Sequence, residues 1–86
     1  VTILITGGSQ GIGRAIAEEF ATDGTDVFIN YHADDAAAEA AAAAVESAGG
    51  TPHLVKGSVA TPGGARAVLD EVASKTDRLD QLVHAA

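Results

Sequence analysis

Cysteine, methionine and tryptophan are absent from these 86 residues, and the aromatic side chains amount to one tyrosine and two phenylalanines. Without cysteine there is no disulfide, no thiol nucleophile and no thiolate metal ligand, a composition that fits a reducing compartment; a cytoplasmic location is expected. Basic residues are scarce too: five Lys and Arg stand against twelve Asp and Glu, a net charge of −7. Such a surface is unsuited to tracking phosphates of DNA or RNA, so nucleic acid is not an expected partner. No apolar run approaches the roughly 20 residues that a membrane helix needs, and no basic segment with a cleavage pattern opens the chain. Neither a membrane nor a secretory signal is expected. The first residue is Val1 instead of methionine, so some preceding residues are expected to be missing. A chain of this length forms one domain at most and buries about 60–65% of its unfolded surface, enough for a modest core.

What is present alternates between two periods. Val1–Thr6 (VTILIT) is β-branched and almost wholly apolar, the pattern of a strand buried on both faces. Ile12, Ala15, Ile16 and Phe20 then recur at helical spacing, with Gly24 as the stop. Val27–Asn30 reads as a second buried strand. Asp34 and Asp35 precede the alanine-rich AAAEAAAAAVESA, where propensity favours helix, the two acids suit its positive end, and Gly49-Gly50 terminate it. His53–Lys56 is the third strand. Thr61-Pro62 forms an N-cap with proline at the first helical position, and Ala65, Val68, Leu69 and Val72 make the helix's apolar stripe. Leu79–Ala86 is the fourth strand.

Strand–helix–strand repeated three times predicts a parallel sheet with right-handed crossovers. The expected fold class is α/β, with strand order 3-2-1-4 and helices on both faces: the first two helices on one side, the third on the other. The order reverses between the first and fourth strands, and sheets of this kind bind ligands at such a switch point. The bend that carries Gly7, Gly8, Gly11 and Gly13 falls beside it. A helix N-terminus offers unpaired N–H groups and about half a positive charge, and the bare glycines Gly7, Gly11 and Gly13 would let a diphosphate come close. A structural turn alone accounts for one or two of these glycines, not the cluster.

The segment T-G-G-S-Q-G-I-G-R-A-I-A, residues 6–17, resembles the cofactor-binding segment of the short-chain dehydrogenase/reductase family, whose pattern is T-G-x-x-x-G-[IL]-G. Within the family it is similar to the ketoacyl-carrier-protein reductases and their relatives. Ile29-Asn30-Tyr31 stands where these end their second strand in V-N-Y. Gly57-Ser58-Val59 occupies the family's "D-V" site, and residues 79–86 (LDQLVHAA) match its L-D-x-L-V-N-N-A-G, so the likeness runs the whole length. The first motif is specific; the later ones are supporting.

The resemblance implies a Rossmann-type domain and an NAD(P)-dependent oxidoreductase that moves hydride between a nicotinamide and a carbonyl or alcohol. By position, Gly7, Gly11, Ile12 and Gly13 would wrap the pyrophosphate. Ser9, Gln10, Tyr31 and His32 would surround the adenosine ribose, Ser58 and Val59 would border adenine, and Ala85 and Ala86 would lie near the nicotinamide ribose. The departures are informative. NADP users of the family often have arginine at the place of Gln10, and NAD users usually have aspartate at that of Tyr31. With no acid at residue 31, and with Gln10 and His32 as donors, NADP(H) is expected over NAD(H), provided that Asp34 and Asp35 turn toward their own helix. Ser58 replaces an aspartate, and His84 and Ala85 replace two asparagines.

The family's chemistry uses a tyrosine and a lysine four residues apart, with an upstream serine. Here the only tyrosine is Tyr31 and the residue four later is Asp35. No catalytic residue is therefore assigned, and the chain is expected to be the N-terminal part, 1–86, of one larger doubly wound domain whose catalytic part follows. Packing suggests the same: with one helix on the second face, half of the first strand is expected to stay wet and the last to be an open apolar edge. A homodimer or homotetramer is implied for the full-length enzyme.

The remaining features read as structural. His32 is expected on a surface loop, His53 in a structural role, and His84 near the crevice without carboxylates or cysteines at metal spacing, so no metal site is expected. A P-loop would need G-K-[ST] where Gly13-Arg14-Ala15 stands, and no serine lies in a G-x-S-x-G elbow. A non-catalytic dinucleotide-binding or interaction module is the alternative.

Overall fold

A computed structural model describes residues 1–7 and 11–85. The order of elements is β1 (Thr2–Thr6), α1 (Gly11–Phe20), β2 (Asp26–Tyr31), α2 (Asp35–Ser47), β3 (Thr51–Lys56), α3 (Pro62–Lys75) and β4 (Gln81–His84). The strands form one parallel sheet, as the strand–helix alternation predicted, in the expected order β3-β2-β1-β4. Ile5 of β1 lies opposite Ile29 of β2 and Val83 of β4, and Ile29 lies opposite Leu54 of β3.

Side chains alternate across this sheet, so each face has its own core. On one face Ile3, Ile5, Val27 and Ile29 pack with Ala17, Ala21, Ala41 and Val45, which come from α1, the turn after it and α2. On the other, Leu4, Phe28 and Val55 pack with Val68 and Val72 of α3. Two helices on one face and the third on the other is the expected arrangement. Half of β1 does not stay wet, however: all five of its residues are buried. A single helix suffices because Val68 and Val72 sit over Leu4 and Phe28, at the middle of the sheet. The open apolar edge is present on β4, where Leu82 is 57% exposed.

The helix ends follow local chemistry. Asp34 accepts a hydrogen bond from the Ala37 N–H (3.0 Å) and Thr61 one from the Gly64 N–H (3.1 Å), with Pro62 as the first residue of α3. The buried face of α1 differs from the predicted stripe. Ile12 is 76% exposed and Phe20 43%, whereas Gly13 and Ala17 are buried. Small residues one turn apart let α1 lie close against the sheet, and the larger side chains are displaced to its flanks. In α3 the expected stripe holds at Val68 and Val72 but not at Leu69, which is 44% exposed. β4 is shorter than the predicted Leu79–Ala86, although Asp80 and Ala85 extend its pairing through N–H donations to the carbonyls of Thr2 and Thr6.

Asp80 also closes the lower end of the sheet. Its carboxylate accepts from the Thr2 N–H at 2.7 Å and from Arg78 Nε at 2.6 Å, and those bonds, the backbone one first, hold its pKa below the ordinary 3.8. A carboxylate depressed in the folded state contributes stability that is complete above its unfolded pKa and is lost as pH falls through the folded one. Asp80→Ala is therefore expected to lower the thermal midpoint at neutral pH. The gap to the unsubstituted protein should close below about pH 4 in a thermal melt series.

Candidate functional site

All four strands run the same way, so their C-terminal ends meet along one edge of the sheet, and a cleft of about 400 Å³ opens there. Gly7, Tyr31, His32, Ser58 and Val59 line it, five of the predicted site residues, together with Asn30, Gly57, Ala60 and His84. Ile12, Gly13 and Gly11 belong to the opening turn of α1, and Ala85 continues the pairing of β4 through its N–H donation to the Thr6 carbonyl (3.0 Å). The predicted Ser9, Gln10 and Ala86 lie outside the described residues.

The strand-to-helix bend begins at Gly7, whose φ is 71°, and re-enters helix at Gly11, whose φ is 57°. Both values lie in the left-handed region, which costs an L-residue with a Cβ roughly 1–2 kcal/mol. A Cβ added at Gly11 would meet no described atom within 4 Å. Glycine is needed there for its backbone angle, and no described residue fills the space in front of it. Gly13 serves packing in this structure: it is buried on the inner face of α1. The first turn of α1 carries no acidic side chain, so nothing there opposes an anion at the helix's positive end.

Asn30 fixes the cleft floor. Its side chain is 2% exposed, and its Nδ2 donates to the carbonyls of Val55 (3.1 Å) and Gly57 (3.0 Å). The Asn30 carbonyl in turn accepts from the Gly7 N–H (3.1 Å), and the Tyr31 carbonyl from the Gly57 N–H (2.8 Å). One residue thus ties the ends of β2 and β3 by its side-chain amide and the start of the glycine bend by its backbone carbonyl. Beyond Gly57, Ser58 Oγ accepts from the Ala60 N–H (3.1 Å) and sets the turn that forms the adjacent wall. Gly64 lets α3 come up against that turn, because a Cβ there would overlap the Ser58 carbonyl oxygen. On the opposite side His84 Nδ1 and Thr6 Oγ1 are 2.7 Å apart.

At the rim, the Tyr31 hydroxyl donates to Asp35 Oδ1 at 3.0 Å, and Lys56 Nζ lies 3.2 Å from the same carboxylate. The bond to Asp35 raises the Tyr31 pKa above its ordinary 10.0, while Tyr31 and then Lys56 lower that of Asp35. A phenol held in this way is a poor proton donor, the opposite of what a catalytic tyrosine requires. His53, expected to be structural, stacks on Phe28 with ring centroids 4.4 Å apart, and its Nε2 sits 3.0 Å from Asp26 Oδ1, away from the cleft. Asn30, Gly57 and Ala60 were not among the predicted site residues. A polar side chain in the otherwise apolar VFIN strand, at the asparagine of the V-N-Y match, was the available signal for Asn30.

The family model of the short chain dehydrogenases matches residues 1–86, and the chain belongs to the short-chain dehydrogenase/reductase family. It is 44% identical to 1-cyclohexenylcarbonyl-CoA reductase of Streptomyces collinus over 93% of this chain and 29% of that protein. It is 36% identical to the 3-oxoacyl-acyl-carrier-protein reductase of Staphylococcus aureus over 96% of this chain and 34% of the reductase. Among solved structures, a short-chain dehydrogenase/reductase from Serratia marcescens superposes with a TM-score of 0.90 at 35% identity, over 99% of this chain and 35% of that one. An NADH-dependent reductase complexed with NAD (TM-score 0.87, 29% identity, 96% of this chain and 34% of that one) has the same fold. So does a Burkholderia cenocepacia protein with bound NADP (0.88, 28%, 96% and 32%). The chain spans about a third of the length of the relatives it matches.

The Asn30 bonds carry a prediction. Asn30→Ala removes the donor shared by the Val55 and Gly57 carbonyls and should cost about 1–3 kcal/mol in denaturant unfolding. Amide exchange at residues 55–60 should accelerate more than the global loss requires, since the cleft wall loses its tie to β2.

Proposed function

We propose that this chain is the cofactor-binding half of an NAD(P)-dependent oxidoreductase that transfers hydride between a nicotinamide and a carbonyl or alcohol substrate. The observation that carries the reading is the glycine bend. Left-handed backbone at Gly7 and Gly11 flanks the bend that joins β1 to the first turn of α1, beside the point where strand order reverses. The residues present fit a dinucleotide: no described residue filling the space before Gly11, a first helical turn without acid, and a cleft that leads from Gly7 to Ser58 and Val59.

In this reading Gly7, Gly11, Ile12 and Gly13 wrap the diphosphate, Gly7 by its lack of a side chain, since its N–H is given to the Asn30 carbonyl, and Tyr31 and His32 flank the adenosine ribose. Ser58 and Val59 border adenine, and Ala85 lies toward the nicotinamide ribose. Ser9, Gln10 and Ala86 share these roles. The nicotinamide, when bound, supplies the hydride. Proton transfer belongs to groups in the polypeptide that follows in the relatives, since Tyr31 is engaged by Asp35. NADP(H) is favoured over NAD(H): no carboxylate stands at residue 31, Asp34 caps α2, and Asp35 is turned to Tyr31 and Lys56. The substrate is a small carbonyl compound or alcohol, and the full-length enzyme assembles as a homodimer or homotetramer.

A non-catalytic dinucleotide-binding module is the second reading, and it rests on the same glycine bend and cleft. Calorimetric titration tests what the two share, and carbonyl reduction by the full-length protein separates them. Saturable one-to-one binding of NADP+, tighter than that of NAD+, is expected; no saturable binding of either would overturn both readings. Gly11→Ala should cost about 1–2 kcal/mol of stability from the left-handed backbone alone. It should weaken dinucleotide binding by about tenfold or more, because the added methyl enters the space that the diphosphate needs.

A further inference from the structure

Three charged or polar side chains meet at the cleft rim although neither the lysine nor the second aspartate belongs to the predicted site. Tyr31 and Lys56 are register partners on β2 and β3, so both project on the face that α1 and α2 cover. Asp35 opens α2 on that same face. Its carboxylate takes the Tyr31 hydroxyl on Oδ1 (3.0 Å), and Lys56 Nζ lies 3.2 Å from Oδ1 and 3.3 Å from Oδ2. Both oxygens are therefore held by donors of the chain itself. All three side chains are anchored next to cleft residues: Tyr31 lines the cleft, Lys56 precedes Gly57, and Asp35 is fixed to the Tyr31 hydroxyl.

Given the dinucleotide reading above, we propose that Lys56 is a positioning residue for cofactor selectivity, which pins and neutralises Asp35 so that the rim accepts a ribose 2′-phosphate. A free carboxylate beside the adenosine ribose would accept from a 2′-hydroxyl and repel a 2′-phosphate. Here the only acids near that rim in sequence are Asp34 and Asp35. Asp34 is at the N-cap of α2. Glu39 and Glu71 act on Tyr31 only through space, whereas Asp35 is bonded to its hydroxyl, and the ammonium of Lys56 offsets the Asp35 charge. The chain as a whole is strongly acidic, so the pair removes a local repulsion that the rest of the surface would reinforce.

The test measures dissociation constants for NADP+ and NAD+, and for 2′,5′-ADP against 5′-AMP, in the full-length protein and three variants. Circular dichroism monitors the fold of each. Lys56→Gln should weaken NADP+ and 2′,5′-ADP roughly three- to fivefold at low salt, leave NAD+ and 5′-AMP within about twofold, and lose this effect near 1 M salt. Asp35→Asn alone should bind NADP+ at least as tightly as the unsubstituted protein. The double variant, Lys56→Gln with Asp35→Asn, should return NADP+ close to the starting affinity, because the charge that Lys56 neutralised is gone. An unchanged NADP+/NAD+ ratio in Lys56→Gln overturns the proposal. So does a double variant as weak as Lys56→Gln, which would mean that Lys56 meets the phosphate directly. Failure of the unsubstituted protein to bind either dinucleotide defeats the underlying functional reading instead, a result distinguishable from both.

Discussion

Parallel strands cannot be joined by tight turns; each must be followed by a crossover that returns the chain to the same end of the sheet. Everything at the candidate site depends on that constraint. Because β1, β2, β3 and β4 all point the same way, Gly7, Tyr31, Gly57 and His84 arrive at one edge from widely separated parts of the sequence. The crossovers also place helices on both faces, which is why β1 is buried throughout. A site composed of strand ends inherits the rigidity of the strands behind it.

The polar interior of the site is small and fully used. Asn30 carries the single buried side-chain amide in the described cleft lining, and that amide joins the ends of β2 and β3. Small residues do the complementary work of bringing backbone close: Gly13 and Ala17 under α1, Ala38 and Ala41 under α2, and Gly64 against the Ser58 turn. The alanine-rich α2 is thus a packing device as well as a strong helix former, since alanine leaves its axis near the sheet.

Electrostatics set a problem that composition alone would leave unsolved. A chain of net charge −7 is read as a binder of a polyanion. The local arrangement reconciles the two. The acids nearest the cleft are placed where they satisfy the chain itself, Asp34 on the N-terminus of α2 and Asp35 between Tyr31 and Lys56. The first turn of α1 carries none. The local charge at the cleft is set by these few groups, because more distant charges are screened within about 10 Å at ordinary salt.

Much of this was legible in order and kind. The β-branched runs, the Thr61-Pro62 start, the acids before α2 and the glycine cluster each report a local backbone preference, and local preferences are written residue by residue. Tyr31, His32, Ser58 and Val59, which the resemblance assigns to the ribose and adenine, lie together along one cleft. Which face of α1 is buried was not legible, since Ile12 and Phe20 have the hydrophobicity of core residues while Gly13 and Ala17 have the size that the close approach demands. Nor was the role of Asn30, whose partners are carbonyls 25 and 27 residues away. The sequence by itself determined the elements, their alternation and hence a parallel sheet, because periodicity, capping and crossover handedness are short-range or topological rules. Only the tertiary structure decided that one helix suffices to cover Leu4 and Phe28, that Asn30 clamps the cleft floor, and that Lys56 lies against Asp35. Those outcomes depend on distances between residues far apart in the chain, and no local preference encodes a distance.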